Sequence, residues 1–217
     1  FGTALRGGSN YSIAFGETIV PATYRYAGGY RAGADVLLVR SPPQGAAGVQ
    51  TVRVTTNGQQ YVDAPPFGYY DAPVVSAVSP TTGPRDGGTL LTLHGSHFAG
   101  GSRYLCRWAH DVNASLGSAA AVEGRVGTHF SRDYEWEEGT HFGAPTVDAT
   151  YDSAAPHVLR CVTPAGLDFG ALRLEVSLNA QEFSSSSVNY SAYDTPRLHA
   201  LSPSSGPTDG ATHVRVR

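Results

Sequence analysis

The sequence predicts an all-β chain of tandem immunoglobulin-like sandwiches, on three observations: short alternating apolar runs, dense turn formers, and a block that occurs twice. The runs "TLLTLHG" (89–95), "RYLCRW" (103–108), "HVLRCVTP" (157–164) and "LRLEVSLN" (172–179) have the length and residue types of strands. A further run, "VQTVRVTTNG" (49–58), alternates strictly and closes on Asn57-Gly58, a dipeptide that favours a tight turn. Gly (26) and Pro (14) punctuate the intervals, and no window carries helical periodicity. Roughly seven short strands per hundred residues is the density of a two-sheet sandwich.

The repeated block sets the organisation. "PVVSAVSPTTGPRDGGTLLTLHGSHF" from Pro73 returns from Pro196 as "PRLHALSPSSGPTDGATHVRVR", so Ser79-Pro80 matches Ser202-Pro203 and Gly83-Pro84 matches Gly206-Pro207. Ser41-Pro42 followed by Asn57 and Tyr61 likewise matches Thr163-Pro164 followed by Asn179 and Phe183. Tyr70-Asp71-Ala72-Pro73 and Tyr193-Asp194-Thr195-Pro196 read as one linker used twice. Three parts follow: residues 1–72 are a repeat lacking its first strands, 73–195 a complete repeat, and 196–217 the opening strands of a third. With Phe1 aligned on Phe98 and Arg217 on His94, both ends of the chain fall inside repeats. Each linker ends in Pro, which fixes its own φ and biases its predecessor toward extended backbone, so little free chain is expected between repeats.

The opening block (73–98), "YLCRW" (104–108), "RCVTP" (160–164) and "VSLNAQEF" (176–183) together resemble IPT/TIG domains. Such domains also occur in plexins, fibrocystin-like and other receptor ectodomains, Rel-type transcription factors and some carbohydrate-processing enzymes. The resemblance implies the sandwich fold and a role as spacer, adhesive module or dimerisation unit; it carries over no catalytic residues. One departure stands out: by alignment of the two repeats, residues at about 109–156 hold an insertion of roughly thirty residues, expected to lie outside the sandwich core.

Composition narrows the partners. The net charge is −3, and the fifteen basic residues, all Arg, are scattered singly, which disfavours nucleic acid as a partner. No stretch approaches 18 uninterrupted apolar residues, so this segment is not expected to enter a membrane by itself. No catalytic motif and no cofactor motif is found, and an enzyme is not expected.

Cys106 and Cys161 align with Ile13 and Val39, so both occupy apolar positions that become cysteine together. Either they touch and bond across the sandwich, or they are two buried free thiols. Asn10, Asn113 and Asn189 begin N-glycosylation sequons. Asn113 opens the insertion, while Asn10 and Asn189 sit beside strands, where hindrance is expected. Within the insertion, Tyr134 and Trp136 are candidate contacts for a glycan or a protein partner. The neighbouring Asp133, Glu135, Glu137 and Glu138 match no calcium-loop pattern, and a solvated hairpin suits them as well. His94 and His97 are three apart in a strand, hence on opposite faces, which argues against metal ligation.

Three function classes remain. The first is a non-catalytic structural or adhesive segment of a multi-repeat surface glycoprotein, in a cilium, a filament or a cell coat, whose partners are other protein chains or neighbouring repeats. The second is an intracellular scaffold built from the same repeats. In the third, an accessory carbohydrate-binding module, Tyr134 and Trp136 would form the stacking platform.

Overall fold

The computed structural model describes residues 5–26, 35–110 and 144–217. It is all-β, with no helix among the described residues. The fold divides into two compact units, one comprising Phe1–Ala72 with Ala99–Gly101, the other Pro73–Phe98 with Ser102–Arg217.

In the first unit, β1 (Ser12–Phe15), β2 (Thr18–Pro21), β5 (Gly48–Thr55) and β6 (Val62–Tyr69) form an antiparallel sheet in the order β2-β1-β5-β6. The short strands β3 (Thr23–Arg25) and β4 (Val36–Leu38) make a separate two-stranded ribbon. All four residues of β1 are buried, as suits a strand flanked by others on both edges. Phe15 meets Phe67 edge-on, with ring centroids 5.6 Å apart, and Phe67 meets Tyr69 at 4.9 Å, arrangements that aromatic quadrupoles favour.

The second unit is the fuller sandwich. One sheet contains β7 (Val74–Ser79), β9 (Leu90–Ser96) and β12 (Val158–Val162); the other contains β10 (Leu105–His110), β13 (Gly170–Ser177), β14 (Val188–Tyr193) and β8 (Thr82–Pro84), the last pairing parallel to β14. β11 (Thr146–Tyr151) links them by changing partner along its length. Its residues 146–148 pair with β10, and its residues 149–151 pair with β12. Alternate residues point inward, as period-2 strands demand: Leu91 and Leu93 from β9, Leu159 from β12, Leu174 and Val176 from β13, and Tyr190 and Ala192 from β14 are buried. Residues 196–217 contribute only the hairpin of β15 (Leu201–Ser202) and β16 (Arg215–Val216).

β11 corrects the insertion bounds of 109–156 expected from sequence. Thr146–Tyr151 is a sandwich strand, and the amide of Trp108 donates to the carbonyl of Pro145 at 3.0 Å. Registers explain the difference. Ile13 pairs with Val20 in the first unit as Cys106 pairs with Val147 in the second, so residues 109–144 stand where the first unit has only Gly16 and Glu17. The extra chain therefore opens a tight hairpin turn between two strands, and both strands remain in place. Residues 111–143 lie outside the described residues.

Tyr190 shows how tightly the second unit is packed. Its ring is fully buried, and a Cβ at Gly83 would overlap its hydroxyl and the Thr89 side chain, so only glycine fits there. Burial pushes the Tyr190 phenol above its ordinary value, while the Thr89 and Thr163 hydroxyls pull it part of the way back. Folding thus favours the neutral phenol. Stability from this residue is complete below pH of about 10, where the unfolded phenol is also neutral, and falls as pH rises toward the raised folded value. Chemical unfolding between neutral and alkaline pH should show this loss, and Tyr190→Phe should flatten its share of it; an unchanged alkaline slope in the variant would rule the assignment out.

Candidate functional site

The strongest chemical feature joins the two sheets of the second unit. Cys106 in β10 and Cys161 in β12 are disulfide-bonded, with Cα atoms 6.6 Å apart and 55 residues of sequence separation. Both are buried, and Trp108, two residues along β10 from Cys106, packs into the same interior. On the chain-entropy account, closing a loop of this length stabilises by about 4 kcal/mol. In the first unit the aligned residues are Ile13, buried in β1, and Val39, half-buried just beyond β4.

Two asparagine turns occupy matching places. The side-chain oxygen of Asn57 accepts from the amides of Gln59 (3.0 Å) and Gln60 (3.1 Å), and that of Asn179 accepts from Gln181 (3.0 Å) and Glu182 (3.1 Å). Each also reaches its neighbour's side chain, Asn57 to Gln60 and Asn179 to Glu182. Asn closes such turns because its short amide imitates a backbone carbonyl. The late asparagine of each repeat is thus structural.

One cluster escapes sequence reading. The Arg107 guanidinium pairs with Glu175 across β10 and β13, its Nε donating at 3.0 Å, and lies 3.7 Å from the centroid of the Phe183 ring. In the first unit Arg53, aligned with Glu175, lies 5.5 Å from the ring of Tyr61, aligned with Phe183. The cation has moved to the adjacent strand while the aromatic remains, so the contact reads as a clamp on the outer sheet face. A lone charge in each of "LCRWAH" and "LEVS" was the available signal.

The sequon asparagines Asn10 and Asn189 are both exposed. Asn189 alternates with buried Tyr190 on β14 and so faces outward. Asn113, Tyr134 and Trp136 lie outside the described residues, as do Asp133, Glu135, Glu137 and Glu138. His94 and His157 are exposed and stack with centroids 6.4 Å apart. Among the described residues, no group of three His, Cys, Asp or Glu is gathered as a metal would require.

The two sheets, the strand that passes between them and the buried cross-sheet bridge define an immunoglobulin-like sandwich. Residues 73–119 match the family model for the IPT/TIG domain, and the chain carries an IPT/TIG domain there. Solved structures to which the chain is similar include the plexin A4 extracellular region with domains 1 to 10, at 12% identity over 88% of this chain and 13% of that one, TM-score 0.47. A second plexin A4 structure, with domains 1 to 8, has 12% identity over 82% and 14% and a TM-score of 0.39. SGBP-B of the Bacteroides ovatus mixed-linkage glucan utilization locus, in complex with a mixed-linkage heptasaccharide, has 12% identity over 96% and 46% and a TM-score of 0.32. The chain therefore spans 13–14% of the plexin chains and 46% of SGBP-B.

The first unit supplies its own control for the bridge. Replacing the cysteines together by its apolar pair, Cys106→Ile with Cys161→Val, should leave a folded sandwich less stable by about 4 kcal/mol, with a steeper denaturant dependence because the unfolded chain loses its cross-link. Urea unfolding with and without reductant measures it, and equal stabilities would show that the bridge constrains nothing.

Proposed function

We propose that the chain is a non-catalytic spacer and interaction segment of a large extracellular or cell-surface glycoprotein built of IPT/TIG repeats. The observation that carries this reading is the buried disulfide between the two sheets of the unit that begins at Pro73, because structural bridges persist in oxidising compartments. Exposed sequon asparagines at Asn10 and Asn189 support it. The mechanism is geometrical. Linkers "YYDAP" (69–73) and "AYDTP" (192–196) offer little free chain, so repeats strung through them hold their spacing and present their loops to other protein chains.

Expression through a secretory pathway tests the compartment. Glycopeptide mass spectrometry should find glycan on at least one of Asn10, Asn113 and Asn189, and alkylation of the native chain should find no free thiol. Bare asparagines with two reactive cysteines would instead favour an intracellular scaffold. Small-angle scattering on the same chain tests the spacer: a narrow range of extended dimensions is expected, and an ensemble as broad as that of a flexibly linked pair would refute it.

A further inference from the structure

Two sequon asparagines, Asn10 and Asn189, lie among the described residues, and the fold treats their side-chain amides differently. Asn189 stands on the outer face of β14, because its neighbour Tyr190 is fully buried and successive side chains of a strand alternate. The sequon serine, Ser191, shares that face. β8 runs beside β14 only from Ser191 onward, so at Asn189 the strand pairs with β13 alone, through Arg173. Ala171, Arg173 and Glu175 alternate with buried Leu172, Leu174 and Val176, which gives β13 a polar or small-chained outer face here. Arg173 is held on it by donation from its Nε to the Ser187 hydroxyl at 2.9 Å.

Asn10 is exposed as a residue, yet its amide is built into a turn. The backbone amides of Ser9 and Asn10 donate to the carbonyl of Thr56 at 3.0 Å, and Asn10 bridges to Asn57. The second unit repeats the pattern: Ser102 and Arg103 donate to Leu178, and Arg103 bridges to Asn179. The side chains then diverge. Gly58 follows Asn57 at φ 75°, and Ala180 follows Asn179 at φ 62°, so a Cβ is tolerated at this place in the turn. At Gly58, however, a Cβ would stand 2.5 Å from the Nδ2 of Asn10. Close approach of that side chain, more than backbone conformation, selects glycine. The nitrogen that would carry a glycan is the atom of closest approach.

We propose that Asn189 is the N-glycan acceptor on the outer face of β13 and β14, and that Asn10 stays bare as a structural amide. A glycan is bulky and hydrated, and this face gives it room without disturbing the core. Its proximal acetamido sugar lies against Arg173, whose guanidinium donates to the acetamide carbonyl. At Asn10 the same sugar would have to displace Nδ2 from Gly58, and with it the turn that Asn57 closes. Such a glycan rests on the extracellular setting proposed above, and names which asparagine that setting modifies and what meets the sugar.

Glycopeptide mass spectrometry of the chain secreted from eukaryotic cells should find Asn189 occupied in most molecules and Asn10 in none. Glycan on Asn10, or a bare Asn189 in a chain whose bridge from Cys106 to Cys161 has formed, would overturn the assignment and leave the extracellular setting standing. Bare Asn10, Asn113 and Asn189 with two reactive thiols would overturn both. The packing of Asn10 has its own readout in chain made without glycan. Gly58→Ala should lower Tm by several degrees, and adding Asn10→Ala should restore part of the loss, as contacting residues are coupled. Equal losses in both backgrounds would contradict the structural role. Release of the Asn189 glycan from the native chain by an amidase should be severalfold faster in Arg173→Ala, and an unchanged rate would contradict the contact.

Discussion

The pairing of β9 on β12 is the contact on which the rest of the structure depends. A sheet with one apolar face must cover that face with a second layer, and a sandwich exists only when both layers are present. In the second unit β9 carries Leu91 and Leu93 onto Cys161 and Leu159, and the residues beneath them on β13 are fully buried. In the first unit no strand takes that place among the described residues, and the same positions stay half open. Where β9 lies on β12, the core beneath it is closed.

The disulfide has its meaning within this frame. β10 and β12 are both neighbours of β11, so the bridge from Cys106 to Cys161 ties together the two strands between which β11 changes sheets. Residues 109–144 stand here in place of a two-residue turn. Lengthening a connection to that degree raises the entropy of closing it by about 2–3 kcal/mol, and the cross-link, worth about 4 kcal/mol, more than offsets it. The first unit has the tight turn and needs no bridge, which fits the apolar pair Ile13 and Val39 at the same positions. Core contacts and chain length are in this way linked: an enlarged connection between two strands is accompanied by a covalent tie beneath them.

Much of this was legible in the residues. Alternation located β5, β9, β10, β12 and β13, because each keeps one face apolar, and the Ser-Pro-x-x-Gly-Pro block that follows Pro73 falls at the opening of the second unit. The cysteine contact followed from two apolar positions changing together. β11 was missed because "TVDATY" carries a single strongly apolar residue, Val147, and sits where repeat alignment lost its anchor. The Arg107 clamp was hidden for another reason: its partners Glu175 and Phe183 lie far along the chain, and its counterpart in the first unit draws the cation from a different strand.

Native-state hydrogen exchange on the dilute chain, read peptide by peptide, is the most direct test of the central role given to the β9–β12 pairing. Amides of β12 should exchange only through global unfolding, whereas those of β4, its aligned counterpart with one edge unpaired, should exchange through local opening many times faster. Equal and strong protection of β4 and β12 in the monomer would contradict the account, for it would mean that the first unit closes its core without the strand on which closure is argued to depend.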